Sequence, residues 1–167
     1  FMPERVRFQG LVAEGTIGGE KVLVLKPATY MNLSGQAVGE AARFYKIPHE
    51  NIIVFHDELD LPLGKVRVKT GGGHGGNNGL RSIISHIGEN FRRVRLGIGH
   101  PGEKHLVSGY VLKDFAKAEQ PTAETIIDSV ARHVALLLEG NASGFMNKLA
   151  LDVTPPKESP ADTTKGN

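Results

Sequence analysis

Residues 66–84 read V-R-V-K-T-G-G-G-H-G-G-N-N-G-L-R-S-I-I, which predicts a strand, a glycine-rich loop and a helix in succession. Five glycines surround His74, and ordering so many glycines costs conformational entropy. Such a loop is favoured where a ligand lies against bare backbone, so it is a candidate binding surface; a flexible strand-to-helix connection is the alternative. Asn78 is predicted to cap the helix, because Leu80, Ile83 and Ile87 follow it at helical spacing.

A second candidate site precedes this loop. The apolar run Asn51–Phe55 predicts a short buried strand, and H-D-E-L-D at residues 56–60 forms its polar exit. Sites in α/β proteins collect beyond the carboxyl ends of strands, which makes Asp57 a candidate catalytic carboxylate; a solvated acidic turn is the alternative. Adjacent strand residues point to opposite faces, so Asp57 needs a histidine other than His56.

Basic residues alternate along two predicted strands. Lys65, Arg67 and Lys69 share one face of the first strand, and Arg93 and Arg95 share one face of the second. Two such rows are suited to binding phosphates, although a solvated strand face is the alternative reading.

The remaining elements follow from hydrophobic spacing and turn residues. Two strands, Arg7–Glu14 and Glu20–Leu25, are predicted to form a hairpin through a turn containing Gly15, Gly18 and Gly19. Beyond them we predict a helix capped by Ser34, a strand Arg92–Ile98, a short strand Val107–Leu112 and a polar connection Lys113–Glu119. A long helix opened by Pro121 follows, and a last short helix covers Ala142–Leu149. The long helix has an apolar stripe made of Ile126, Ile127, Val130, Ala131, Val134, Leu137 and Leu138.

Composition limits the function classes. A chain of 167 residues with 40% hydrophobic residues fits one domain, and residues 154–167 lack the apolar groups needed to order them, so we expect a disordered tail. A net charge of only +2 means that a nucleic-acid partner needs a local basic patch. The absence of cysteine excludes thiolate chemistry, and the scattered histidines give weak support to a metal site. Without a membrane-length apolar run or a signal-peptide pattern, we expect a cytoplasmic protein that does not enter membranes.

Three polar residues lie at the edges of predicted elements: Asn32, Asp57 and Asn78. An asparagine amide can hold a carbonyl group and stabilise an oxyanion, which is worth about 100-fold or more in rate. A carboxylate can orient a histidine and stabilise its imidazolium form. The set could therefore hold a peptide carbonyl and orient a histidine supplied from elsewhere in the chain.

Four motifs closely resemble those of the bacterial peptidyl-tRNA hydrolases. They are T-Y-M-N-L-S-G at residues 29–35, H-D-E-L-D-L-P-L-G at 56–64, G-G-G-H-G-G-N-N-G-L at 71–80 and R-L-G-I-G-H-P-G at 95–102. The resemblance covers the chain from about Arg7 to Leu149. It implies an α/β fold, a single domain over residues 1–153 with a twisted mixed β-sheet flanked by helices. It also implies hydrolysis of the ester between peptide and tRNA by a monomer, without metal or cofactor.

The resemblance also implies roles for individual residues. It makes Asn32 and Asn78 substrate-positioning asparagines, with Tyr30 lining the same cleft. Asp57 resembles the aspartate that supports the catalytic histidine. Lys69 and Arg95 resemble the residues that bind tRNA phosphate, and Lys113–Gln120 falls where the family has a lid. Asn77 stands where the family often has a histidine.

The beginning of the chain departs from the family pattern. The family opens with a strand, a G-L-G-N-P-G-like turn and a T-R-H-N-like segment, which supply the catalytic histidine and a further asparagine. These motifs are absent from the 167 residues, so we expect the chain alone to be strongly impaired in hydrolysis. The alternative is a non-hydrolytic RNA-binding relative that keeps the fold and the basic cleft.

Overall fold

The protein is represented by a computed structural model that describes residues 1–103, 106, 109 and 115–153. These residues form two compact units. The first comprises Phe1–Glu58 and Arg67–Leu96, and the second comprises Leu59–Val66 and the described residues from Gly97 onward. Helices and strands occur together, which confirms the predicted α/β class.

The first unit begins with an antiparallel sheet of three strands in sequence order. These are β1 (Arg5–Arg7), β2 (Gly10–Ile17) and β3 (Glu20–Pro27). Ile17 pairs with Glu20, so Gly18 and Gly19 form a two-residue turn in which both φ angles are positive, at 57° and 83°. The predicted hairpin is therefore confirmed, but Gly15 lies within β2 rather than in the turn.

A second sheet contains β4 (Ile53–Glu58), β5 (Val66–Thr70) and β6 (Arg92–Gly97), in the order β4-β6-β5. The Arg92 amide donates to the Ile52 carbonyl at 3.0 Å, which joins the starts of β4 and β6 and makes them parallel. The Gly71 amide donates to the Phe91 carbonyl at 3.0 Å, which joins the end of β5 to the start of β6 and makes them antiparallel. This sheet is mixed, as predicted, but the strands form two sheets instead of one.

The position of Asp57 differs from the prediction. The residues of the expected polar exit, His56, Asp57 and Glu58, lie inside β4, because the strand begins only at Ile53, after a short 3-10 helix His49–Asn51. The strand is half-buried rather than fully buried, so polar side chains are accommodated along it.

Two helices pack together in the first unit: α1 (Ser34–Tyr45) and α2 (Asn78–Ile87). They approach each other closely at Gly35, whose backbone N–H donates to Ser82 Oγ at 2.8 Å. A Cβ atom on Gly35 would lie 2.1 Å from the Ser82 carbonyl oxygen, so only glycine fits there. The predicted start of α1 at Ser34 is confirmed, but the Ser34 hydroxyl donates backward to the Met31 carbonyl instead of capping the helix.

The core of the first unit comes from the apolar faces of these helices. Leu80, Ile83 and Ile87 of α2 are buried with Phe91, as their helical spacing predicts. A second cluster joins Ala41 of α1 to the first sheet, where it meets Phe8 and Val12.

The second unit contains α3 (Gln120–Leu138) and α4 (Ala142–Val153), which pack against each other. Buried Ser129 donates to Asp152 Oδ2 at 2.6 Å. The predicted stripe on α3 is only partly correct: Ile126 and Leu137 are buried, whereas Ile127 is 68% exposed. No helix in the described part of the chain is long and apolar enough to cross a membrane. The predicted strand Val107–Leu112, apart from residue 109, and the predicted tail, residues 154–167, lie outside the described residues.

Candidate active site

Helix α2 is capped by Asn77, and not by Asn78 as predicted. Asn77 has extended backbone angles, and its Oδ1 accepts a hydrogen bond from the Leu80 N–H at 3.0 Å. Asn78 is the first residue of the helix and is exposed. Because the cap occupies Asn77, the Asn78 amide stays available at the open end of α2.

Asn77 also contacts the candidate catalytic carboxylate. Its Nδ2 donates to Asp57 Oδ1 at 3.3 Å, across twenty residues of sequence. The Asp57 carboxylate makes no other hydrogen bond with the described residues, so its Oδ2 can still accept one. A single amide thus joins β4 to the start of α2.

The segment that contains Tyr30 and Asn32 lies beside the same end of α2. Residues Met31–Leu33 form a 3-10 helix that packs against α2, and the Met31 sulfur is so close to Gly79 that a Cβ there would lie 2.8 Å from it. Met31 and Gly79 are the chain neighbours of Asn32 and Asn78, so the structure brings the two predicted asparagines to one region. Both asparagines are exposed, and Tyr30 is 83% exposed.

The backbone of the glycine-rich loop accepts hydrogen bonds from Arg93. This residue was predicted to lie on an exposed basic face, but its guanidinium is buried and donates to the backbone carbonyls of Gly72 and Gly73. Burial lowers the pKa of Arg93, and the charge of Glu89 opposes that shift. The expected second row of phosphate-binding cations therefore does not include Arg93.

The other predicted phosphate-binding residues lie in different environments. Lys69 is exposed on β5, and its ammonium group rests against Gly72, where an added Cβ would lie 2.7 Å from Nζ. Arg95 on β6 is half-buried, and its Nε forms an ion pair with Glu58 Oε1 at 2.9 Å. Lys69 forms no ion pair with another described residue, so it can meet a ligand at little cost, whereas Arg95 already has an acidic neighbour.

His56 does not contact the carboxylate of Asp57. Its Nδ1 lies 2.8 Å from the Asp57 backbone oxygen, and because a carbonyl only accepts, Nδ1 must carry the proton. Its Nε2 is buried and has no hydrogen-bond partner among the described residues. Burial lowers the pKa of His56, so the neutral ring is favoured. This geometry agrees with the expectation that Asp57 needs a different histidine.

The sequence model of the family described as peptidyl-tRNA hydrolase matches residues 2–158. The chain belongs to the peptidyl-tRNA hydrolase family. A peptidyl-tRNA hydrolase from Rhodospirillum centenum is 57% identical over 94% of this chain and 69% of its own length. One from Parvibaculum lavamentivorans is 58% identical over 98% of this chain and 80% of its own length.

Solved structures agree with this family assignment. The crystal structure of peptidyl-tRNA hydrolase from Acinetobacter baumannii superposes with a TM-score of 0.80 at 49% identity. The match covers 86% of this chain and 73% of that chain. The predicted family and fold class are confirmed.

Three contributors to the site in this family member were missed by sequence reasoning: the bridge made by Asn77, the buried Arg93 and the contact of Met31 with Gly79. The adjacent asparagines 77 and 78 offered a signal for the first, because either one could supply a cap. Arg93 gave no such signal, since strand alternation does not reveal which segment covers a face. Of the predicted lid Lys113–Gln120, residues 113 and 114 lie outside the described part, and Phe115–Glu119 forms a turn that leads into α3.

Proposed function

We propose that this chain hydrolyses the ester bond between peptide and tRNA in peptidyl-tRNA, with its site at the end of α2. Membership of the peptidyl-tRNA hydrolase family supports the reaction. The location of the site is supported by the hydrogen bond from Asn77 to Asp57, because it holds a carboxylate of β4 beside the end of α2 where Asn78 lies.

The reaction needs a base, an oxyanion donor and a leaving group. A histidine takes a proton from water, the water oxygen bonds to the ester carbon, and the carbonyl oxygen becomes negative. The bond from carbon to the ribose oxygen then breaks, and the histidine returns the proton to that oxygen. Asp57 Oδ2 accepts the ring N–H of that histidine and stabilises the imidazolium form, in the way carboxylates do in hydrolytic triads.

The two exposed asparagines take the peptide side of the substrate. Their amides make no hydrogen bonds with other described residues, so Asn32 and Asn78 can hold a peptide carbonyl or donate to the oxyanion without first losing a partner. Tyr30, which is exposed at the start of the 3-10 helix, contributes a ring surface beside them.

Lys69 and Arg95 take the tRNA side. An ammonium group and a guanidinium are suited to phosphate oxygens, and Lys69 is exposed on β5. Arg95 must share its charge between Glu58 and a phosphate, which would make its contact weaker than that of an unpaired arginine. We further propose that the protein acts as a monomer in the cytoplasm, where a translation enzyme meets its substrate.

The test is the release of N-acetylated amino acid from tRNA. It should be run on this chain and on the chain preceded by the opening segment of the Rhodospirillum centenum relative. If only the protein with the added segment turns over, the catalytic base lies in that segment. If both proteins turn over, the catalytic base is one of the histidines of this chain. Failure of both proteins to turn over would contradict the proposed reaction.

Variants test the site assignments in whichever protein is active. Asp57→Asn should lower kcat strongly, because an amide cannot stabilise the imidazolium charge. Asn78→Ala should lower kcat/KM, because the amide that binds the peptide part of the substrate is removed. Asn51→Ala is the matched control, since Asn51 is exposed in the 3-10 helix His49–Asn51. Equal losses in Asn51→Ala and Asn78→Ala would remove Asn78 from the site.

A further inference from the structure

Arg93 is the largest fully buried side chain among the described residues, with 2% of its surface exposed. Its Nη1 donates to the Gly73 carbonyl, and its Nη2 donates to the carbonyls of Gly72 and, at 3.3 Å, Glu89. The guanidinium carbon lies 4.4 Å from the centre of the Phe91 ring. Nε is buried and has no hydrogen-bond partner in the described part of the chain.

The surroundings of Arg93 do not favour it as a core residue. Within the described residues it forms no ion pair; its partners are neutral carbonyl groups. Removing a cation from water is costly, and an apolar side chain of similar volume often serves a core as well or better. An arginine that is buried on carbonyl partners therefore calls for a reason other than packing.

The hydrogen bonds of Arg93 fix the orientation of two peptide groups in the glycine-rich loop. A trans peptide is planar, so its N–H points away from its C=O, and the described chain contains no cis peptide bond. Because the carbonyls of Gly72 and Gly73 point to Arg93, the N–H groups of Gly73 and His74 point away from it. Neither N–H donates a hydrogen bond within the described residues, and Gly73 is exposed.

The same loop is fixed at its other end and has a cation beside it. The backbone N–H of Asn77 donates to the His74 carbonyl at 3.0 Å, and the side chain of Asn77 caps α2 and contacts Asp57. Lys69 Nζ rests against Gly72. Two N–H groups that have no acceptor among the described residues and one ammonium group thus occur between residues 69 and 74, a combination that suits an anion.

We propose that Arg93 is a positioning residue: it orients the glycine-rich loop so that the N–H groups of Gly73 and His74, together with Lys69, bind one backbone phosphate of tRNA. This inference rests on the proposed function and adds the loop backbone to the tRNA-binding surface. Arg93 itself does not touch the substrate, since its side chain is buried and its Nη donors are directed to backbone carbonyls.

The test uses Arg93→Met, which removes the charge but keeps much of the volume, and Arg93→Lys, which keeps the charge but not the forked geometry. Arg43→Lys, at the exposed end of α1, is the matched control. Amide hydrogen exchange is measured first at Gly76 and Asn77, the loop amides whose N–H groups are hydrogen-bonded, to His74 Nδ1 and to the His74 carbonyl; the amides of α2 are the internal reference for folding. Affinity for deacylated tRNA is then measured over a range of salt concentrations.

We expect exchange of the loop amides to rise by about tenfold or more in both Arg93 variants while the amides of α2 keep their protection. Affinity for tRNA should fall by roughly tenfold, and the salt slope should decrease by about one phosphate contact. Arg43→Lys should change neither quantity.

Unchanged loop exchange in both variants would overturn the positioning role. Faster exchange with unchanged tRNA affinity and salt slope would show that the loop does not bind phosphate, and it would overturn the inference as well. A tRNA-binding response as expected here, combined with no release of N-acetylated amino acid from tRNA by either the chain or the extended chain, would contradict the hydrolytic function and leave the role of Arg93 intact.

Discussion

Asn77 hydrogen-bonds the Asp57 carboxylate and caps helix α2 with the two ends of one amide: Nδ2 lies 3.3 Å from Asp57 Oδ1, and Oδ1 lies 3.0 Å from the Leu80 nitrogen. The two bonds use different atoms and can be separated by mutation. Serine caps helices well but is too short to keep both contacts, whereas alanine keeps neither.

Asn77→Ser should therefore retain most of the stability while losing activity. We expect kcat to fall by roughly tenfold with KM little changed, because a hydrogen bond to a charged group is worth about 1.5–3 kcal/mol. Asn77→Ala should show the same loss of kcat and in addition lower the free energy of unfolding by about 1 kcal/mol through loss of the cap. Steady-state kinetics and chemical denaturation check both. Wild-type kcat in Asn77→Ser would mean that the contact with Asp57 has no part in the reaction.

Glycines 35 and 39 give a matched pair on one helix. Gly35→Ala would force a Cβ to 2.1 Å from the Ser82 carbonyl oxygen and should lower the free energy of unfolding by about 3 kcal/mol or more, at the upper end of overpacking costs. A Cβ in Gly39→Ala would lie 3.1 Å from the flexible end of Arg43 and 3.5 Å from His86 Cβ, an ordinary contact distance, so this variant should raise stability by about 0.5–1 kcal/mol. Urea denaturation distinguishes the two. Similar losses in both variants would contradict the close helix crossing at Gly35.

His56 should make the protein sensitive to mild acid. Burial holds the pKa of His56 below its ordinary value of 6.5, so on acidification the unfolded chain binds the proton first. Stability then rises with pH across this window, and it is lost as pH falls from about 6.5 toward the folded pKa. Gln in place of His56 does not titrate, so the free energy of unfolding should fall less between pH 7 and pH 5.5 in His56→Gln than in the wild type. Parallel curves for the two proteins would rule out a contribution from His56.

Lys69 should account for about one counterion in tRNA binding. Lys69→Ala should weaken affinity for all tRNAs alike and reduce the slope of log affinity against log salt by about one, because a phosphate contact releases condensed ions. Lys21→Ala, on the exposed start of β3, is the control. A salt slope that is the same in Lys69→Ala and the wild type would remove Lys69 from the phosphate contacts.

The regular elements of the first unit could be predicted from the sequence because their signals are local. The spacing of Leu80, Ile83 and Ile87 gave helix α2, and Gly18 and Gly19 gave the hairpin. The division of the strands into two sheets could not be predicted, since hydrophobic alternation identifies a strand but not its neighbour.

The site was predicted in part for a similar reason. Asp57 and the asparagines were found from their residue types and family motifs. The choice between Asn77 and Asn78 as the cap depends on Asp57, twenty residues away, which local propensity cannot include. Likewise, Arg93 is buried where the glycine-rich loop accepts its hydrogen bonds, so its two-residue spacing from Arg95 indicated a shared face without indicating what covers that face.

The packing of Met31 against Gly79 has a chemical consequence. Met31 is 60% exposed, yet its sulfur would lie 2.8 Å from a Cβ placed on Gly79. An oxidant that adds oxygen to this sulfur makes it larger and polar, and we expect this to weaken the packing of the 3-10 helix on α2 that keeps Asn32 near Asn78. Peroxide would then inactivate a protein that has no cysteine, and methionine sulfoxide reductase would restore it.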